Sequence, residues 1–246
     1  EHVRFERLDQ RGKARNVCEQ RGNLAALAPE VDAVGAAGDA LRSFAIALRD
    51  DPATDWPDLL LLLGDQVYAD TTPHPELEEF MAARRDLSLP PGDEIKDFVE
   101  YAELYRLAWS DDVVRWVLST VPSAMMFDDH DIRDDWNTSW SWRREIRATT
   151  WWQERIVSGL GAYWVHQHIG NLSPAELADE EVWRHVSAHA ASGEPGELDL
   201  SDVLDAVAAR ADEETSTYRW SYARGPGTAP RRPLDARRRR DALARR

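Results

Sequence analysis

Leu59-Leu60-Leu61-Leu62-Leu63-Gly64-Asp65-Gln66-Val67-Tyr68-Ala69-Asp70 is the stretch whose reading decides the fold. Its apolar run has no polar alternation, which predicts a short strand buried on both faces, as in a parallel sheet covered by helices. The run then breaks off at Gly-Asp, with Tyr68 and Asp70 close behind. Ser123-Ala124-Met125-Met126-Phe127-Asp128-Asp129-His130-Asp131 repeats the pattern. In open α/β sheets, ligands collect beyond the carboxyl ends of the strands. Two such strands would aim Asp65, Tyr68, Asp128, Asp129 and His130 into one crevice. Oxygen ligands crowded around an imidazole repel one another unless a cation or solvent relieves them. The plainer readings are that Gly-Asp is only a turn, that Asp131 or Asp134 caps the next helix, and that the remaining carboxylates are solvated.

Working outward, apolar residues recur at helical spacing within 31–48, 76–81, 95–109 and 111–119, the last capped by Asp111-Asp112. Beyond the second strand, Trp136–Thr150 is followed by a long amphipathic helix over 151–168, ended at Gly170-Asn171. Ser173-Pro174-Ala175-Glu176 has the N-cap, proline and acidic first turn of another helix. Leu198–Asp212 predicts a further helix, and Tyr218-Arg219-Trp220-Ser221-Tyr222 alternates like a strand. Residues 1–30 offer one strand near Val3–Phe5. The order predicts an α/β fold with helices heavily inserted. Trp136, Trp140 and Trp142 are expected in the core. His166 and His168 read as packing or exposed residues, and His185 and His189 as a solvated face.

The chain has 246 residues, 43% of them apolar, enough for a substantial core. Its net charge of −15 conceals a basic end, since residues 221–246 hold nine Arg and two Asp. The acidic body repels nucleic acid and phosphate alike unless cations intervene. Nucleic acid is therefore not an expected partner, and the Arg-rich end is a minor rival reading as an anionic-surface tail. No run is long enough for a membrane span. Cys18 stands alone, which favours a reducing, cytoplasmic setting. The first residue is Glu1, so an exported protein with a missing start is the alternative.

Gly64-Asp65-Gln66-Val67-Tyr68-Ala69-Asp70 and Phe127-Asp128-Asp129-His130-Asp131-Ile132-Arg133-Asp134-Asp135-Trp136-Asn137 resemble the alkaline phosphatase D-like (PhoD-like) metallophosphatases, a branch of the calcineurin-like metallophosphoesterases. The resemblance runs from about Asp39 to Tyr222. It implies a metallophosphoesterase-type sheet core, an αββα sandwich incomplete in this chain. It implies metal-dependent hydrolysis of a small phosphomonoester or phosphodiester at a two-metal centre. Iron or calcium is the metal implied, with manganese or zinc as alternatives. By the match, Asp65, Tyr68, Asp128 and Asp129 are metal ligands. His130 is the catalytic group that orients substrate or protonates the leaving oxygen. By position rather than by the match, His74, between two prolines just past the Gly-Asp motif, and Asp70 and Asp131 are the further candidates for lining the pocket. Family members carry a cysteine ligand after an early strand, and Cys18 has no convincing strand before it. They also supply a late aspartate and a His-containing motif, whereas no His follows His189 here. The expected organisation is an atypical segment over 1–30, a partial PhoD-like domain over 31–222 and an Arg/Pro-rich disordered tail over 223–246. The ending reads as a truncated or frame-shifted gene end, with little turnover expected. The rival to an enzyme is a non-catalytic remnant of the fold that keeps a cation.

Overall fold

The computed structural model describes residues 5–8, 14–16, 40–50, 56–71, 74–136 and 139–213, the first two segments as backbone only. Cys18, the Tyr218–Tyr222 stretch and the Arg-rich end lie outside the described residues. Strands β1 (Phe5–Leu8), β2 (Ala14–Asn16), β3 (Leu60–Leu63) and β4 (Ser123–Met126) form one sheet in the order β2-β1-β3-β4. β1 and β2 are antiparallel, with Glu6 opposite Asn16, whereas β3 and β4 run parallel. β2 was not expected from sequence, and it stands just before Cys18. The rest of the described chain is mostly helical, so the fold is α/β with a small sheet.

The described residues cluster into two compact units. One comprises those up to Leu61 together with Ser110–Ser123; the other comprises Leu62–Trp109 and those from Ala124 onward. In the first, α1 (Ala40–Asp50) buries Leu41, Phe44, Ala45 and Leu48. Helix α4 (Asp112–Thr120) buries Val114 and Val117 and packs against α1. Asp111 begins α4 as its N-cap, accepting from the amides of Val113 and Val114, and also receives Arg42 Nε at 2.9 Å.

The second unit holds α2 (Pro75–Arg84), α3 (Phe98–Ala108), α5 (Trp140–Arg147), α6 (Trp152–Tyr163), α7 (Pro174–Asp179), α8 (Glu181–Ser192) and α9 (Ser201–Glu213). Helix α6 is its axis, packed along both α9 and α3. Small residues make that possible. A Cβ on Gly159 would come within 2.6 Å of Ile132 Cδ1 and 2.8 Å of the Tyr101 hydroxyl. Beyond Tyr163 the helix widens into a π turn, Trp164–His168, and then ends at Ile169–Asn171. The Asn171 side chain pairs with both backbone groups of Met125, accepting at 2.8 Å and donating at 2.6 Å, which ties β4 to this helix end. Helix α7 opens with the reciprocal Ser173–Glu176 cap that its sequence predicts.

Two expectations need correction. β3 is not buried on both faces. Leu60 and Leu62 are 2% and 1% exposed, but Leu63 is 41% exposed, so the strand has one buried face. Alternation is a property of the pleat, and a uniform leucine run cannot reveal which face is covered. Trp140, expected in the core, is 78% exposed. Helix α5 presents Trp142 and Ile146, four residues apart, to the cluster around Ile132 and Trp152. Trp140 falls two positions from Trp142, on the other side of the helix.

Candidate metal centre

The carboxyl ends of β3 and β4 come together through one close contact. Gly64, at φ 100°, lies where a Cβ would sit 2.4 Å from the Cβ of Asp128. Only glycine allows this conformation and this approach. Asp65 follows at φ 50°, a left-handed position that a short polar side chain tolerates at some expense in strain. The strand therefore turns sharply at its last residue, and the carboxylate of Asp65 is presented next to Asp128.

Ligand atoms of Asp65, Asp128 and Asp129 all lie within 4.8 Å of one another, and those of Asp129, His130 and Asp134 form a second such group. Asp129 is shared between them. Backbone amides fix its carboxylate, with His130 N donating to Oδ1 at 3.1 Å and Asp135 N to Oδ2 at 2.8 Å. Asp128 begins the 3-10 turn Asp129–Asp131 and accepts from Asp129 N. Burial raises the pKa of Asp65, and the neighbouring Asp128 and Asp129 raise it further, against the lowering influence of His130. Asp65 Oδ1 is buried without a hydrogen-bond partner. A carboxylate oxygen in that condition, facing two more carboxylates, is of a kind that a hard cation could satisfy. The donor set is oxygen-rich with one imidazole, which suits calcium, manganese or iron better than a thiolate-seeking metal.

His130 is held from one side. Its Nδ1 lies 2.8 Å from Asp70 Oδ2, so a proton on Nδ1 donates to that carboxylate. The same oxygen accepts from Asp134 N at 2.7 Å. The Tyr68 ring lies against the imidazole, with centroids 4.6 Å apart. His130 Nε2 is 3.9 Å from Asp134 Oδ1.

The other expected pocket residues have different surroundings. Asp131 is 2% exposed and faces inward. Its Oδ2 accepts from Gln66 N at 3.3 Å and Asp128 N at 3.0 Å, and Oδ1 accepts from Gln167 Nε2 at 2.9 Å. It therefore laces the Gly-Asp loop to the Asp-Asp-His loop from beneath. Burial pushes its carboxyl up to about 7, opposed by those same donors. His74 occupies the N-cap position of α2 without a side-chain cap bond, and belongs to neither ligand group. His166 stacks on Tyr105 at 4.1 Å and belongs to neither ligand group, and His168 is buried.

Sequence reading weighed Asp134 only as a helix cap and did not single out Gln167 or Arg155. Asp134 lies within the quoted motif, one helical turn after His130. Gln167 reaches Asp131 because the π turn rotates it inward, and such turns cluster at functional sites. Arg155 lies three residues after Trp152 and four before Gly159 on the buried face of α6, a spacing that was open to reading.

A family model for PhoD-like phosphatase matches residues 43–193, covering both loops and the helices through α8. No curated protein and no solved structure matches the chain. The matched span is more than half of the sequence and contains the whole carboxylate cluster, and on that basis the chain belongs to the PhoD-like phosphatases.

Proposed function

We propose that Asp65, Asp128 and Asp129 hold a cation at the centre of a phosphoester hydrolase site, with His130 as its proton-transfer group. The observation that carries this reading is the convergence of three carboxylates within 4.8 Å, brought about by the Gly64–Asp128 contact. A phosphatase-type function agrees with the family, whose members depend on metal. Calcium, iron or manganese fits the donors, and a bound cation there would neutralise phosphoryl oxygens and lower the pKa of a coordinated water. Asp129 with Asp134 would serve a second cation, completing the two-metal arrangement, with the rings of Tyr68 and His130 beside them.

The chain's own residues divide the remaining work. Asp65, Asp128 and Asp129 concentrate negative charge that only a cation reverses, so an acidic site becomes able to accept a phosphate. Asp70 fixes the imidazole of His130 through Nδ1 and thereby assigns Nε2 to exchange a proton with the substrate's leaving oxygen. The substrate is a small phosphomonoester or phosphodiester.

The test is hydrolysis of 4-nitrophenyl phosphate by the purified chain with manganese or calcium supplied. Slow turnover that disappears on adding chelator, and in Asp65→Asn and His130→Ala, is the expected result. A second reading, cation binding without turnover, draws on the second ligand group, where Asp134 is mostly exposed and His130 Nδ1 is engaged by Asp70. Cation binding by the wild-type chain with no hydrolysis in any metal would decide for that reading. Metal-independent hydrolysis would overturn both.

A further inference from the structure

Arg155 is wholly buried in the middle of α6, and its hydrogen bonds go to backbone rather than to solvent. Nη2 donates to Ala69 O at 3.1 Å and to Ile132 O at 2.5 Å, and Nη1 donates to Ile95 O at 2.5 Å. Ala69 lies four residues past Asp65, and Ile132 three past Asp129. Those two residues are the far ends of the two loops that present the carboxylates. Backbone bonds complete the knot: Ala69 N donates to His130 O at 2.8 Å, and Ile95 N to Ala69 O at 2.8 Å. Glu94 Oε2 lies 3.1 Å from Nη1 and is Arg155's ion-pair partner, while Glu94 Oε1 pairs with Arg133 at 3.3 Å.

We propose that Arg155 is a positioning residue for the cation centre, its guanidinium setting the separation of the two ligand loops by holding the carbonyls of Ala69 and Ile132 together with that of Ile95. The inference rests on the reading of Asp65, Asp128 and Asp129 as cation ligands. A fully buried arginine is costly unless it is paired and hydrogen-bonded, and core stability alone is served as well by an apolar side chain. A planar fork of donors can hold three carbonyls in fixed relation; an ammonium, as a single point, cannot. Gly159, one turn further along α6, touches Ile132 itself, so the helix carrying the fork is seated directly against the second loop.

The experiment is calorimetric titration of manganese into the 246-residue chain, comparing wild type, Arg155→Lys, Arg155→Met, Glu94→Gln and Asp65→Asn, each at a temperature where circular dichroism shows it folded. Arg155→Lys should bind manganese about 10-fold or more weakly, as expected for loss of a group that orients metal ligands. Glu94→Gln, which keeps the carbonyl fan, should stay close to wild type. A folded Arg155→Lys that binds as wild type does would overturn the proposal, leaving Arg155 with a core role only. Equal losses in Glu94→Gln and Arg155→Lys would also overturn it, because charge compensation rather than loop spacing would then be at work. Should both Arg155 variants fail to fold, amide exchange in the wild type decides. Manganese should slow exchange of Ala69 N–H and Ile95 N–H, and no change there counts against the clamp. If wild type and Asp65→Asn bind manganese alike, or neither binds, the cation site itself fails and the inference falls with it.

Discussion

Asp70 shows what a single residue contributes at this site. Read in sequence it trails the Gly-Asp motif, but in the structure its Oδ2 joins His130 Nδ1 to the amide of Asp134. It belongs to neither ligand group. Asp70→Asn is therefore expected to keep cation affinity near wild type while slowing phosphoester hydrolysis by about 10- to 100-fold, as removal of a residue that orients another commonly does. Parallel calorimetry and initial rates check this, and a variant that loses affinity and rate together would contradict it. The proximity of Asp65, Asp128 and Asp129 was legible because each follows an apolar run, and strand ends converge. The inward turn of Asp131 was not. Four ionisable residues in succession look alike in sequence, and only the backbone path of the 3-10 turn decides which one takes the amides of Gln66 and Asp128.

Among elements, α6 decides how close the helices come to the ligand loops. Its two glycines make opposite predictions. Gly159 has no room for a methyl, with Ile132 Cδ1 at 2.6 Å and Tyr101 Oη at 2.8 Å from the added atom. Gly159→Ala should destabilise the protein by about 1–3 kcal/mol through overpacking. Gly161 faces Leu204 at 3.4 Å, an ordinary contact, so Gly161→Ala should be neutral or stabilising by up to about 1 kcal/mol from helix propensity. Urea unfolding of both variants checks the pair; destabilisation by Gly161→Ala equal to that of Gly159→Ala would refute this account of α6. Helices were the readable part of the chain. The caps at Asp111 and Ser173 stand where local side-chain chemistry puts them. The exposed face of β3 was hidden because leucine fills every position, and the π turn was hidden because Trp164–His168 carries no residue pattern distinct from an α-helix.

At the scale of the molecule, stability depends on protonation. His166 is stacked flat on Tyr105 and faces Ala162 O, and burial lowers its pKa below 6.5 despite that carbonyl. The unfolded chain therefore takes up this proton more readily than the folded one. Stability from His166 is present above pH 6.5 and is lost as pH falls from there through its lower folded value. His166→Phe keeps a ring on Tyr105 and should flatten this part of the pH dependence of the urea midpoint; an unchanged slope would show that the titration lies elsewhere. Fold class and the partnership of the two strands were open to reading, because an apolar run followed by acids is a pattern of the whole chain. Burial of Gln167 was not, because only the π turn over Trp164–His168 carries it inward. Manganese titration of wild type against Asp65→Asn tests the central claim most directly. Saturable binding by the wild type, weakened by about 10-fold or more in Asp65→Asn, is the result predicted for a lost carboxylate ligand. Equal binding by the two proteins would contradict the cation centre.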